Sequence, residues 1–333
     1  MWFTLVLIIL MSWCIDYING FHDTANAIAT VISTGVMSAR NAILMAACLN
    51  FGGALLGTHV ATTIASGLAD PHLVVPEVII AALTAAILWD LGTWYFGIPS
   101  STSHTLMGGL AGAVVAHAGF GALHMEKLEE IAAFIVISPV MGFIVAMILI
   151  LCILWFCRRM VQRRVNVAFR KLQLLSASAM AFTHGQNDAQ KAMGVICLAL
   201  IMYGKLAIVP GHQVNVPLWV KVGCATMMAL GTASGGWRII RTMGHRIVKL
   251  RPIHGFAAET ASALVLFTTA HFGIPVSTTH SITGSIMGVG ASMKPSAVRW
   301  GVAGNIFTAW LLTIPCSFAI AALTLKLIHP LFH

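Results

Sequence analysis

Charge is what this chain has least of. Only 9% of its 333 residues are charged, ten Asp and Glu against nineteen Lys and Arg, where a soluble domain carries about 25%. So few charges cannot coat a water-facing surface of this size, which excludes a soluble enzyme. A disordered or collagen-like chain is excluded by the 58% apolar content. Paired cysteine motifs are absent too. Cys14, Cys48, Cys152, Cys157, Cys197, Cys224 and Cys316 show no CxxC spacing, so they are expected to be small buried hydrophobes, with no disulfide framework or metal site. No basic region precedes the opening MWFTLVLIIL, and Asp16 and Asn19 follow it where small cleavage-site residues would sit. The segment reads as a retained first helix.

What is present is apolar sequence in long runs. Stretches of bilayer-spanning length, roughly 17–25 residues, occur near 41–66, 78–97, 131–157, 216–236, 254–272 and 300–327. Two longer ones, 1–35 and 172–206, are interrupted by polar motifs, and two shorter ones, 98–117 and 276–293, open with Ser/Thr runs after a proline. The thirty glycines suit close helix packing in lipid. The net charge of +9 lies mainly in two clusters, 158–171 and 238–251, between apolar runs. That placement fits cytoplasmic connections under the positive-inside rule and argues against nucleic acid as a partner. With the N-terminus outside and ten crossings, Arg40, both basic clusters, Lys294 and Arg299 fall inside. The connections bearing Asp70 and Glu77, and Glu126, Glu129 and Glu130, fall outside, as does the C-terminus. Lys127 and Lys205 are minor exceptions.

The chain repeats itself. FGIPSSTSH at 96–104 and FGIPVSTTH at 272–280 agree at seven of nine positions, 176 residues apart. NGFHDTANA at 19–27 and HGQNDAQKA at 184–192 share Gly, Asp and the final Ala, 165 residues apart. The expected fold is an all-α polytopic membrane protein of about 10–12 segments, with interrupted helices and re-entrant hairpins. It comprises a first repeat over 1–157, a basic cytoplasmic loop over 158–171 and a second repeat over 172–333. An odd number of crossings per half makes the repeats inverted, a signature of secondary transporters working by alternating access.

Each repeat offers the same chemistry. Ser101, Thr102 and Ser103, like Ser277, Thr278 and Thr279, follow a Gly-Ile-Pro stop and start a new helix. Their hydroxyls and the free amides of a helix N-terminus could hold a small tetrahedral oxyanion. A single trio would be an ordinary cap; its near-identical duplication favours a binding site. Asp23 and Asp188 are buried acids, each costing about 2.5–3.5 kcal/mol at a helix centre. Asn26, Asn187 and Gln190 flank them with carbonyl oxygens suited to hard cations. Acids beside an anion site require a companion cation or proton, hence cotransport. Lys191 is a counter-ion or anion contact, and Glu259 a further candidate facing the same cavity. Asp16 and Asp90 are expected at interfaces. His104 and His280 are expected to pack helices.

The stretches NGFHDTANAIAT, HGQNDAQKAMG, GIPSSTSH and GIPVSTTH together resemble the inorganic phosphate transporter (PiT) family, over essentially the whole chain. The resemblance implies phosphate symport in a bacterial inner membrane, with the Ser/Thr trios on phosphate and Asp23, Asn26, Asn187 and Asp188 on the coupling cation. It also implies a homodimer in membrane lipid, with no resident cofactor or metal and no catalytic residues. Many sodium-coupled members carry Asn-Asp where this chain has His22-Asp23. The His22 form is similar to bacterial members that carry neutral metal–phosphate complexes with protons. Replacing an amide oxygen by imidazole removes a sodium ligand and adds a group that titrates near pH 6.5, so H+ is the expected coupling ion rather than Na+. The rivals are a sulfate permease of the same family and an intramembrane hydrolase using a serine of SSTSH with His104. A passive anion channel would want basic rings along its pore.

Overall fold

A computed structural model describes residues 2–67, 74–207, 214–274 and 276–332. Asp70, expected in an acidic connection, and Pro275 of the second Gly-Ile-Pro motif lie outside the described residues. Within them the chain forms twelve α-helices and no extended strand. The first six are α1 (Trp2–Ser33), α2 (Ala39–Ala54), α3 (His59–Gly67), α4 (Pro76–Phe96), α5 (Thr102–Ala118) and α6 (Met125–Cys157). A similar succession follows in α7 (Gln162–Met202), α8 (Leu218–Ser234), α9 (Trp237–Arg241), α10 (Pro252–His271), α11 (Thr278–Met293) and α12 (Trp300–Ile328). A π-helical stretch, Thr242–Arg246, prolongs α9. Among the described residues α1, α4, α6 and α12 are each long and apolar enough to cross a bilayer alone.

The two sets of six interlock. α5 packs along α12, and α11 packs along α6, so each half covers a face of the other. Gly108 and Gly112 of α5 lie against the backbone of Ile314 and Phe318, while Gly284 and Gly288 of α11 lie against that of Pro139 and Phe143. Each glycine pair has the small-xxx-small spacing that lets helix backbones touch. Pro139 within α6 and Pro315 within α12 stand at the same 176-residue offset as these glycines and the FGIP motifs.

A second crossing is also made twice. α1 meets α8 where Gly20 lies against Met228 and Gly231, and α7 meets α2 where Gly185 lies against Asn50. Gly231 rests on the Tyr17 carbonyl and Gly53 on that of Phe182. These contacts bring the middles of α1 and α7, with the acids they carry, into the interior.

Several expected elements differ. The run 41–66 is not one span: α2 and α3 meet at a bend of 67°. The run 216–236 ends at the glycine pair Gly235-Gly236, after which α9 starts afresh. Composition alone hides such breaks, because the residues on both sides stay apolar. The basic stretch expected as a loop over 158–171 is non-helical only to Val161. Lys and Arg are good helix formers, and the 41 residues of α7, about 60 Å long, outreach a hydrocarbon core of about 30 Å. Its first turns therefore carry Arg163, Arg164, Arg170 and Lys171 as exposed residues. Of the cysteines expected to be buried, only Cys197 and Cys224 are; Cys14, Cys48 and Cys152 are exposed on an apolar exterior.

Candidate functional site: two half-helix tips on a pair of acids

Gly-Ile-Pro stops one helix so that the next can begin inside the protein. Gly97 and Gly273 adopt φ of 67° and 70°, the left-handed region where glycine avoids the Cβ clash. Ser101 then caps α5, accepting the His104 N–H at 3.3 Å, and Ser277 caps α11, accepting the His280 N–H at 3.2 Å. The two serines thus act first as helix caps. Trp310 of α12 donates its indole N–H to the Pro99 carbonyl at 2.9 Å and stacks on His280 at 3.8 Å between centroids, bracing both tips.

The residues after each cap face the acids. Thr102 donates to Asn19 Oδ1 at 3.0 Å and approaches Asp23 Oδ2 at 3.4 Å. Thr278 donates to Asp188 Oδ2 at 3.1 Å. Contacts also cross between halves. Thr279 approaches Asp23 Oδ1 at 3.4 Å, and Asn26 donates to Thr278 and Thr279 at 3.2 and 2.9 Å. Ser103 reaches the Val276 carbonyl at 3.3 Å. Both trios and both acids are no more than 3% exposed. Two positive helix ends and the hydroxyls of Thr102, Thr278 and Thr279 therefore converge on one buried carboxylate pair.

The companions of the acids differ. His22 donates from Nδ1 to Asp23 Oδ1 at 2.7 Å, while its Nε2 faces the hydroxyls of Thr93 and Ser100 at 3.1 and 3.3 Å. A carboxylate only accepts, so Nδ1 carries the hydrogen. Lys191 binds Asp188 Oδ1 at 2.6 Å, a fixed counter-ion. His184, which the sequence reading passed over, places Nε2 3.3 Å from Asp188 Oδ2 and is steadied through Nδ1 by Asn50 at 3.2 Å. Its signal was available in the i,i+4 spacing to Asp188. Asn19 was missed likewise, although it precedes Asp23 by four. Asp23, His184 and Asp188 each offer a ligand atom within 4.8 Å of the others, a set able to hold a cation. Asn26 Oδ1 and Asn187 Oδ1 are buried and take no hydrogen bond among the described residues; Asn187 gives its Nδ2 hydrogen to the Leu266 carbonyl at 3.1 Å.

Other expected site residues lie elsewhere. Gln190 turns from the tips and accepts the N–H groups of Val60 and Ala61 at 2.9 and 3.3 Å, closing the start of α3. Gln190→Ala is therefore expected to cost about 1–3 kcal/mol by orphaning buried donors, read as a lowered melting temperature, and to leave the ion dependence of uptake unchanged. Altered ion dependence would return Gln190 to the site. Glu259 does not share the cavity of the tips. Its carboxylate is held by Thr30 at 2.5 Å, by Gln173 at 3.0 Å and by Ser176, tying α10 to α1 and α7. Asp16 and Asp90, expected at interfaces, are each 1% exposed; Asp90 accepts from Thr105 at 2.9 Å. The rings of His104 and His280 pack at 4.8 Å between centroids. No serine hydroxyl bonds the His104 ring among the described residues, which removes the pair a hydrolase would need.

Two facing half-helix tips above intramembrane acids, inside a polytopic helical protein, define a membrane carrier rather than an enzyme. The chain belongs to the phosphate transporter family, which it matches over residues 19–321. It is 49% identical over 320 residues to a Rhizobium meliloti protein named "Probable low-affinity inorganic phosphate transporter", covering 96% of this chain and 95% of that one. A Bacillus subtilis protein of the same name is 43% identical over 329 residues, 98% of each. A solved structure titled "The sodium-dependent phosphate transporter" superposes with a TM-score of 0.88 over 98% of this chain and 99% of that one. At 23% identity that likeness shows a shared fold.

Proposed function

We propose that this protein takes up inorganic phosphate across the bacterial inner membrane as a symporter, holding the anion between the tips of α5 and α11. The observation that carries the reading is that Thr102 from one half and Thr279 from the other both turn to Asp23. A phosphate entering between the tips exchanges these contacts for its own oxygens, and the freed carboxylate takes the cation. Phosphate also supplies P–OH donors that sulfate lacks, which suits a site where carboxylates accept.

Charge balance supports a metal–phosphate cargo. Among the groups that meet the tips, Asp188 is neutralised by Lys191 and Asp23 is left with one negative charge. A neutral divalent metal–hydrogenphosphate complex adds nothing, and one proton on the His22–Asp23 pair brings the total to zero. Two carboxylates and an imidazole, on Asp23, His184 and Asp188, suit a travelling divalent ion. Inverted halves, with both termini outside, let the loaded centre face either side by alternating access.

Proteoliposome uptake of labelled phosphate tests this. Uptake is expected to need a divalent metal, to follow an imposed proton gradient without sodium, and to resist sulfate competition. Uptake driven by sodium alone, with no response to the proton gradient, would replace the proton by Na+; sulfate carried at an equal rate would overturn the choice of anion.

A further inference from the structure

Away from the tips, a cavity of about 590 Å3 opens where α6 ends and α7 and α10 begin. Its polar side includes Arg158, Arg251, His254 and Asn166, and its apolar side includes Leu154 and Ile253. None of the residues lining it is acidic. Two guanidinium groups thus share one concavity with no carboxylate in its wall.

The surroundings fix its depth in the membrane. α6 carries no charge from Ile131 to Cys157, a stretch about 40 Å long, so Arg158 stands where this helix leaves the hydrocarbon. The Arg158 guanidinium lies 4.9 Å from the Trp155 ring centroid, an aromatic typical of the interface. Leu154, Trp155 and Phe156 are 41%, 58% and 72% exposed, forming an apolar approach beside the cavity. A free anion in water would have no use for that approach.

We propose that this cavity binds the headgroup of an anionic phospholipid, its phosphodiester between Arg158 and Arg251 and an acyl chain running down Leu154 and Trp155. Basic pockets between helices at the membrane boundary take such headgroups, and a choline headgroup would set its own cation against the arginines. The inference rests on the membrane placement of α6 and is independent of what the tips carry.

The test uses the full chain in phosphatidylcholine bilayers carrying a trace of photoactivatable phosphatidylglycerol, or the same photoprobe on phosphatidylcholine. Adducts are mapped by mass spectrometry. The phosphatidylglycerol probe is expected to label segments 154–166 and 251–254 in excess over the phosphatidylcholine probe. Each arginine contributes about 1 kcal/mol, so Arg158→Gln or Arg251→Gln should cut labelling about fivefold and the double variant about 25-fold. Arg241→Gln with Arg246→Gln, an equal charge loss at positions outside the cavity wall, should leave labelling unchanged. Monodisperse elution certifies each variant, and the single variants carry the test if the double does not fold. Equal labelling by the two probes would overturn the proposal, as would an unaffected double variant. So would displacement of the probe by inorganic phosphate at matched ionic strength, which would make the cavity a free-anion site.

Discussion

Replacing Asp23 by asparagine is expected to slow coupled phosphate uptake about a hundredfold, a loss of about 2.7 kcal/mol, while leaving the melting temperature nearly unchanged. Asparagine fills the same volume and can keep its one oxygen toward Thr279 and His22 while its amide hydrogens turn to the Thr102 hydroxyl, but it cannot supply the negative charge that receives the cation. Asp188→Asn should behave differently. It also stops uptake, and in addition it strands the Lys191 ammonium, which sits 2.6 Å from the carboxylate and is 3% exposed. Breaking one side of a buried pair costs about 3–5 kcal/mol. Adding Lys191→Met to Asp188→Asn should restore much of that stability and none of the uptake. Thermal unfolding in detergent and proteoliposome uptake separate the two effects. Native rates for Asp23→Asn would remove that carboxylate from the transport cycle, and a fully stable Asp188→Asn would mean that Lys191 is not its dependent.

The second large effect concerns the glycines that let the acid-bearing helices cross. A Cβ on Gly20 would stand 2.3 Å from the Met228 carbonyl oxygen, and one on Gly185 2.3 Å from that of Asn50. In both cases the obstacle is helix backbone, which cannot swing aside as a side chain can. Gly20→Ala and Gly185→Ala are each expected to destabilise by about 3 kcal/mol and to reduce uptake, since the crossings position Asp23 and Asp188. Gly92→Ala is the control: nothing lies within 4 Å of its Cβ position, so the change should stabilise α4 by about 0.5–1 kcal/mol. Three equal melting temperatures would show that the crossings are looser than these distances require.

The tips and the acids were legible because their signals are local and duplicated. Gly-Ile-Pro followed by Ser-Thr spells a stop and a start within a few residues, and a second copy marks the two tips as counterparts. The breaks between α2 and α3 and between α8 and α9 were hidden, since hydropathy does not report a change of direction. The partners of Gln190 and Glu259 were hidden for a related reason. Sequence proximity put Gln190 next to Asp188, but side chains two apart on a helix point to different faces, and Gln190 serves α3. Glu259 was assigned by its placement in an apolar run, whereas Thr30, Gln173 and Ser176 arrive from two distant segments to satisfy it. His184 and Asn19 were readable in the letters. Both lie one helical turn before an acid already singled out, where i,i+4 neighbours share a face. The matched Pro139 and Pro315, and the matched glycines of α5 and α11, were equally present in the letters at the offset already found.

The lending of α5 to α12 and of α11 to α6 bears on how such a chain could have arisen. A polypeptide of half this length, alone, would leave the glycine-lined face of its own fifth helix without a partner. Two identical copies could each have closed that face with the other's sixth helix, as a two-fold pair. In one chain, by contrast, the closing partner is always present and the two sets of helices are free to differ, as Lys191 beside Asp188 and Asn26 at the matching place after Asp23 do.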